Sequence, residues 1–138
     1  MKKFRDNLVI FLIMGVIYCA IEVLWRGHTH ISMAIVGGLC GVCIGAVNEI
    51  IPWEMGFIWQ CLIGASLTTC IEFLSGMILN VWLKLNVWDY SNLPLNLYGQ
   101  VCAYFFLAWI ALAAVGIVFD DYLRYWIFGE EKPHYTLI

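Results

Sequence analysis

The chain has 138 residues, 63% of them hydrophobic and 12% charged, with a mean hydropathy of +0.85 and a net charge of -3. Soluble domains carry about 25% charged residues, so this composition belongs to an integral membrane protein whose first partner is the lipid bilayer. There is no basic patch for nucleic acid, and charges confined to ends and loops make the net value uninformative about other partners.

A spanning helix needs about 20 largely apolar residues. Four segments qualify: Leu8 to Trp25, Ile31 to Ile51, Phe57 to Leu83 and Leu97 to Phe119. The sequence therefore predicts an all-α, multi-pass membrane protein with four transmembrane helices in one domain over 1–138. A short interfacial helix over 120–128 and a loosely ordered tail over 129–138 complete it.

The first segment follows Met1-Lys2-Lys3 as a signal peptide would, but it has spanning length and leads to Glu22 and Trp25 rather than to a small-residue cleavage site. It is read as a helix. Glu22 falls near its far end, and Arg26 one turn later fits an i,i+4 ion pair. Mutual neutralisation is favoured over a catalytic role for Glu22. His28 and His30 follow in a loop, where His-x-His alone fixes no metal geometry, and no metal site is assigned.

In the second segment Gly37, Gly41 and Gly45 recur every four residues, flanked by Ala34 and Gly38, so another helix can approach closely. A helix of the same chain or a second copy fits this strip. Four short spans enclose little interior, which favours a homodimer. Cys40-x-x-Cys43 has zinc or redox spacing, but it sits mid-helix without a second pair. It and the other four cysteines are read as small packing residues. Glu49, just before Pro52, is read as interfacial.

The third segment carries the strongest pattern. Gln60, Gly64, Thr68, Glu72 and Gly76 sit at successive four-residue steps, a strip that drifts about 40° per step, and Gly64, Thr68 and Glu72 share one face. Gly and Thr serve helix packing, but packing does not require a carboxyl. A carboxylate deep in a bilayer costs roughly 2.5 to 3.5 kcal/mol, so Glu72 has to be protonated, paired or facing water. A polar site around Glu72 is the leading functional expectation.

The loop before the fourth segment holds Trp88, Asp89, Tyr90, Ser91, Pro94, Asn96 and Gln100. Asp89 and Ser91 suit turns, and Asn96 suits a cap. The functional expectation is that Trp88, Asp89, Tyr90, Asn96 and Gln100 hang over the cavity of Glu72, with Thr68, Gln60, Glu22 and Arg26 also lining it. Beyond the fourth segment, Asp120 to Phe128 mixes charges with aromatics; it continues the span or lies along the cytoplasmic interface, and is read as an anchor.

Lys2, Lys3, Arg5, Arg124 and Lys132 share the side of both termini, against Arg26 and Lys84 on the other, which predicts cytoplasmic termini. Trp25, Trp53, Trp59, Trp82 and Trp88 fall near helix ends, where aromatic rings favour the headgroup layer.

The stretch Thr69-Cys-Ile-Glu-Phe-Leu-Ser-Gly, then Asn86-Val-Trp-Asp-Tyr-Ser, Pro94, Asn96 and Gly99-Gln-Val-Cys, followed by Trp109, resembles the small bacterial membrane proteins described as putative ABC-transporter type IV or ABC transporter permeases. The resemblance extends to Glu22, Arg26-Gly27, Asp120-Asp-Tyr-Leu-Arg and Glu131-Lys-Pro-His-Tyr. It implies a bacterial cell membrane and motif residues Glu72, Gly76, Trp88, Asp89, Tyr90, Ser91, Pro94, Asn96 and Gly99. The sequence has no G-x-x-x-x-G-K-[ST] loop, so an ATPase would be a separate partner. No cofactor motif is present.

Three function classes follow, in order of preference. The first is a transport or channel component binding a cation or small polar solute at Glu72. The second is a non-transporting assembly subunit joined to a partner through the glycine strip. The third is an intramembrane enzyme using Glu72 and Asp89 as an acid/base pair on a lipid-linked substrate, although no nucleophile accompanies them.

Overall fold

The structure is a computed structural model that describes residues 1–52 and 54–138; Trp53, expected at the headgroup layer, lies outside the described residues. The chain folds as helix α1 (Lys2–Arg26), α2 (Ser32–Ile50), α3 (Phe57–Gly76) and α4 (Ala103–Phe128). Helix α3 continues as a π-helical segment, Met77–Trp82, and a two-stranded hairpin of β1 (Asn96–Leu97) and β2 (Val101–Cys102) precedes α4. The described residues hold four helices long and apolar enough to cross a membrane.

Local chemistry explains the breaks. Gly27 ends α1 in the left-handed conformation, at φ 80°, with its N–H donating to the Val23 carbonyl. Helix α2 stops at Ile51, which is extended because it precedes Pro52. The fourth helix starts at Ala103 rather than Leu97, because Asn96, Leu97, Val101 and Cys102 pair as the hairpin. It then runs unbroken through residues 120–128 to Gly129, so that stretch is the last part of the long helix and not a separate interfacial one.

The helices run up and down. Helix α1 packs chiefly on α2, α3 packs on α4, and α2 touches all three others, while α1 and α4 barely meet. The Arg124 guanidinium reaches the Asn7 side chain at 2.9 Å, so the start of α1 and the end of α4 lie at the same end of the bundle. The tail is docked there too: the N–H of Phe57 donates to the Thr136 carbonyl at 2.6 Å, and the rings of Phe57 and Tyr135 lie 5.0 Å apart. The expectation of a loosely ordered tail gives way, because backbone groups at the start of α3 need acceptors and the tail supplies them.

The glycine strip of α2 is filled from within the chain. A side chain at Gly37 would strike Tyr18, one at Gly41 would strike Met14, and one at Gly45 would strike the Asp120 carboxylate. Its neighbours are α1 and α4, so it is not the seam of a homodimer. Helices in lipid gain by close van der Waals approach, and the bulky side chains that exploit the strip come from the same polypeptide.

The end carrying the termini also corrects the reading of Asp120 to Arg124 as an anchor. Asp120 is completely buried, Asp121 and Arg124 are nearly so, and Arg124 Nε donates to Asp120 at 2.8 Å. Asp121 accepts from the Asn48 amide at 2.5 Å and from the Tyr135 hydroxyl at 2.7 Å. Gly45 leaves the space that the Asp120 carboxylate occupies.

Two outcomes are expected. Gly41→Leu drives a side chain into Met14 and should lower stability by about 1 to 3 kcal/mol, read as a lower melting temperature in detergent with unchanged particle mass in size-exclusion light scattering. Arg124→Met leaves Asp120 buried without its partner and should destabilise by about 3 to 5 kcal/mol, whereas the double change with Asp120→Leu should recover much of the loss in a double-mutant cycle.

Candidate functional site

Glu72 lies near the end of α3, 6% exposed, on the winding strip of Gln60, Gly64, Thr68 and Gly76, all buried. Its carboxylate accepts one hydrogen bond at each oxygen, from the Tyr90 hydroxyl at 2.9 Å and from Trp109 Nε1 at 3.0 Å. Each donor is braced by a stacked ring: Tyr90 on Phe105 at 4.5 Å and Trp109 on Tyr18 at 5.9 Å, both pairs tilted by 14°. Among the described residues no cation comes within ion-pair distance of Glu72. Its two partners are neutral donors.

The Tyr90 phenol stays a donor. Burial, and then the adjacent Glu72 charge, push its pKa up from the ordinary tyrosine value.

Glu22 and Arg26 form the expected pair, with Arg26 Nη2 at 2.6 Å from Glu22. The same Glu22 oxygen accepts from the Thr29 hydroxyl at 2.9 Å, and Arg26 Nη1 donates to the Val87 carbonyl at 2.8 Å. Arg26 therefore ties the end of α1 to the loop after α3 and is engaged on both sides.

Together these groups line a cavity of about 330 Å³. Its walls are α1 from Tyr18 to Arg26 and α4 from Tyr104 to Leu112; Met33 and Glu72 face it from α2 and α3, and Trp88 and Tyr90 come from the loop. Because α1 and α4 meet little, the cavity is a cleft open to the side. Ile21, Trp25, Tyr104 and Leu112 at its rim are exposed on the bundle surface.

Of the expected site residues, Glu72, Trp88, Tyr90, Glu22 and Arg26 converge here. The others do not line the cavity. Gln60 is buried about 18 Å down the helix, at 1.5 Å per residue, and donates to the Met55 carbonyl in the turn before α3. Thr68 is fully buried beside the Cys40 thiol, between α3 and α2.

Asp89, Asn96 and Gln100 build the loop instead. Asp89 is exposed and accepts from the Ser91 N–H at 2.9 Å; the Ser91 hydroxyl, and then that backbone bond, hold its carboxyl below the usual carboxylate range. Its support of the turn is present at neutral pH and lost as pH falls through that lowered value. Asp89 does not line the cavity that holds Glu72. Asn96 donates to the Leu93 carbonyl and accepts from the Gly99 N–H, while Gln100 is buried, accepting from Asn80 and donating to the Tyr98 carbonyl.

Gly76 and Gly99 admit this loop. A side chain at Gly76 would strike Gln100 and the Trp88 ring, and Gly99 has φ 71° with Asp89 Oδ1 against it. Trp88 is then held over the cavity by its Nε1 donating to the Gln100 carbonyl at 3.0 Å.

Sequence reasoning missed Tyr18, Tyr104 and Phe105 as site residues, and Trp109 appeared only through a resemblance. Apolar spans are full of aromatics, and only packing shows which ones face a carboxylate. It also missed a second cavity, of about 220 Å³, at the end carrying the termini, lined by Asn48, Glu49, Asp121, Arg124, Glu130 and Glu131. Burial, and then the Glu49 carboxyl, raise the pKa of Glu130 there. The signal was present as Asp120 and Arg124 at i,i+4 spacing. Among the described residues, no group of three His, Cys, Asp or Glu is placed to hold a metal, and His28 and His30 are exposed.

A search of curated proteins finds no match, and a search of solved structures finds none. The family model described as "Putative ABC-transporter type IV" matches residues 9–130. That range contains Glu22, Arg26, Glu72, the loop with Trp88 and Tyr90, and the buried Asp120–Arg124 pair, and this chain belongs to that family of membrane proteins.

Proposed function

We propose that the chain is the membrane component of a transport system and that its solute binds in the cleft at Glu72. The observation that carries this reading is a buried carboxylate held by two neutral donors, with no cation at ion-pair distance among the described residues, in a cavity large enough for a small molecule. A structural ion pair would have brought its own partner, as Asp120 has in Arg124. Functional carboxylates in membranes face interiors or cavities, and this one faces a cleft.

The loop supports a binding role. Its backbone holds four non-glycine residues at positive φ, Lys84, Asn86, Leu95 and Tyr98, and the helix leading into it is π-helical. Backbone of both kinds is uncommon and gathers at functional sites. On the orientation expected from the Lys/Arg distribution, the loop and cleft lie toward the outer leaflet and both termini are cytoplasmic. These 138 residues hold no phosphate-binding loop, so they do not themselves hydrolyse ATP by that motif.

Melting of the detergent-purified protein across amines, amino acids, nucleosides, sugars and metal ions tests this. At least one solute should stabilise the wild type, by about 2.7 kcal/mol at a hundredfold excess over its Kd, and should leave Glu72→Gln unshifted. A panel in which no solute moves the wild type would remove the reading. Trp109→Phe keeps a ring against Tyr18 but removes one donor to Glu72, and should cost about 1 to 3 kcal/mol in the same melts.

A further inference from the structure

We infer that the ligand of the Glu72 cleft is an organic ammonium ion with an apolar body. This rests on the reading of the cleft as a solute site and names the chemical class of the solute.

Charge in the cleft favours a cation. The cleft is lined by two carboxylates, Glu22 and Glu72, and one cation, Arg26. Arg26 is bound to Glu22 and to the Val87 carbonyl, so among the described residues Glu72 is the acid of the cleft left without a cation, and a cationic ligand would supply that partner. An anionic ligand would bring like charge against the Glu72 carboxylate in a medium of low dielectric, and no free cation of the cleft would offset it.

The wall of the cleft is aromatic. Tyr18, Trp25, Trp88, Tyr104, Phe105 and Trp109 all line the cleft. Aromatic faces carry negative electrostatic potential and attract ammonium ions, and the attraction grows as water is excluded. Sugars can stack on such rings but carry many hydroxyls, and Glu22, Arg26 and Glu72, already hydrogen-bonded, leave few groups to replace their hydration. A bare metal ion needs several oxygen, nitrogen or sulfur ligands, and no suitable group is placed among the described residues.

Access to the cleft suits a ligand that is partly apolar. The cleft opens between α1 and α4 through exposed Ile21, Trp25, Tyr104 and Leu112, on the side of a bundle whose four helices are apolar enough to span a membrane. A ligand with an apolar body can reach this rim from the lipid phase, and its cationic end then finds Glu72.

The test uses the full chain in lipid nanodiscs and the quenching of its tryptophan fluorescence. The probes are benzyltrimethylammonium, its uncharged carbon isostere, tetramethylammonium and benzenesulfonate. Saturable quenching by benzyltrimethylammonium is expected, with the other three probes at least about tenfold weaker. Glu72→Gln should weaken the ammonium ion by about tenfold or more and leave the neutral isostere unchanged.

Should Glu72→Gln fail to fold, rim position 25 decides: Trp25→Phe should keep ammonium binding and Trp25→Leu should weaken it severalfold. The inference is overturned if the neutral isostere binds as tightly as the ammonium ion, if Glu72→Gln binds the ammonium ion as the wild type does, or if the two Trp25 variants bind it equally. If the ammonium ions do not bind while another class of solute stabilises the wild type in the broader melts, the inference falls and the solute site at Glu72 stands. If no solute of any class binds, both fall.

Discussion

A carboxylate inside a bilayer has to be answered from within the protein, and this constraint organises both ends of the bundle. At one end Asp120 is answered by Arg124 on its own helix, in space left by Gly45 of α2. At the other end Glu72 is answered by Tyr90 from the loop and Trp109 from α4. Three separate parts of the chain are thereby joined at one side chain. The contrast between the ends is chemical: one carboxylate has a cation and the other has two neutral donors and an open cleft.

The loop after α3 shows how far the protein goes to hold that arrangement. Gly76 gives up its side chain so that Trp88 and Gln100 can pack on α3, and Arg26 clamps the loop to α1 through the Val87 carbonyl. Asn80, in the π-helical segment, accepts from the Val87 N–H and donates to Gln100. Residues that looked like ligand contacts, Asp89, Asn96 and Gln100, therefore work on the backbone of the loop. Their effect on the cleft passes through the positions of Trp88 and Tyr90.

Glu72 was legible because an ionisable residue in an apolar run has few structural excuses, and the Glu22–Arg26 pair was legible from its spacing. The glycine strip was legible as a close-packing face but not as to its partner: spacing says that something approaches, whereas Tyr18, Met14 and Asp120 say what does. Asp120 and Arg124 sit near a helix end and looked exposed. Burial of that end depends on Asn7, Asn48 and the returning tail, which lie far away in the chain.

Composition and periodicity by themselves determined that this is a four-helix, multi-pass membrane protein with one carboxylate out of place among apolar residues, because helix length and hydropathy are local properties set by the bilayer. Tertiary structure alone decided which aromatic rings surround that carboxylate, that the cleft opens between α1 and α4, and that the glycine strip is closed from within. Those depend on which helices meet, and in lipid helix pairing is governed by shape and by buried polar partners rather than by a hydrophobic face that a sequence pattern could reveal.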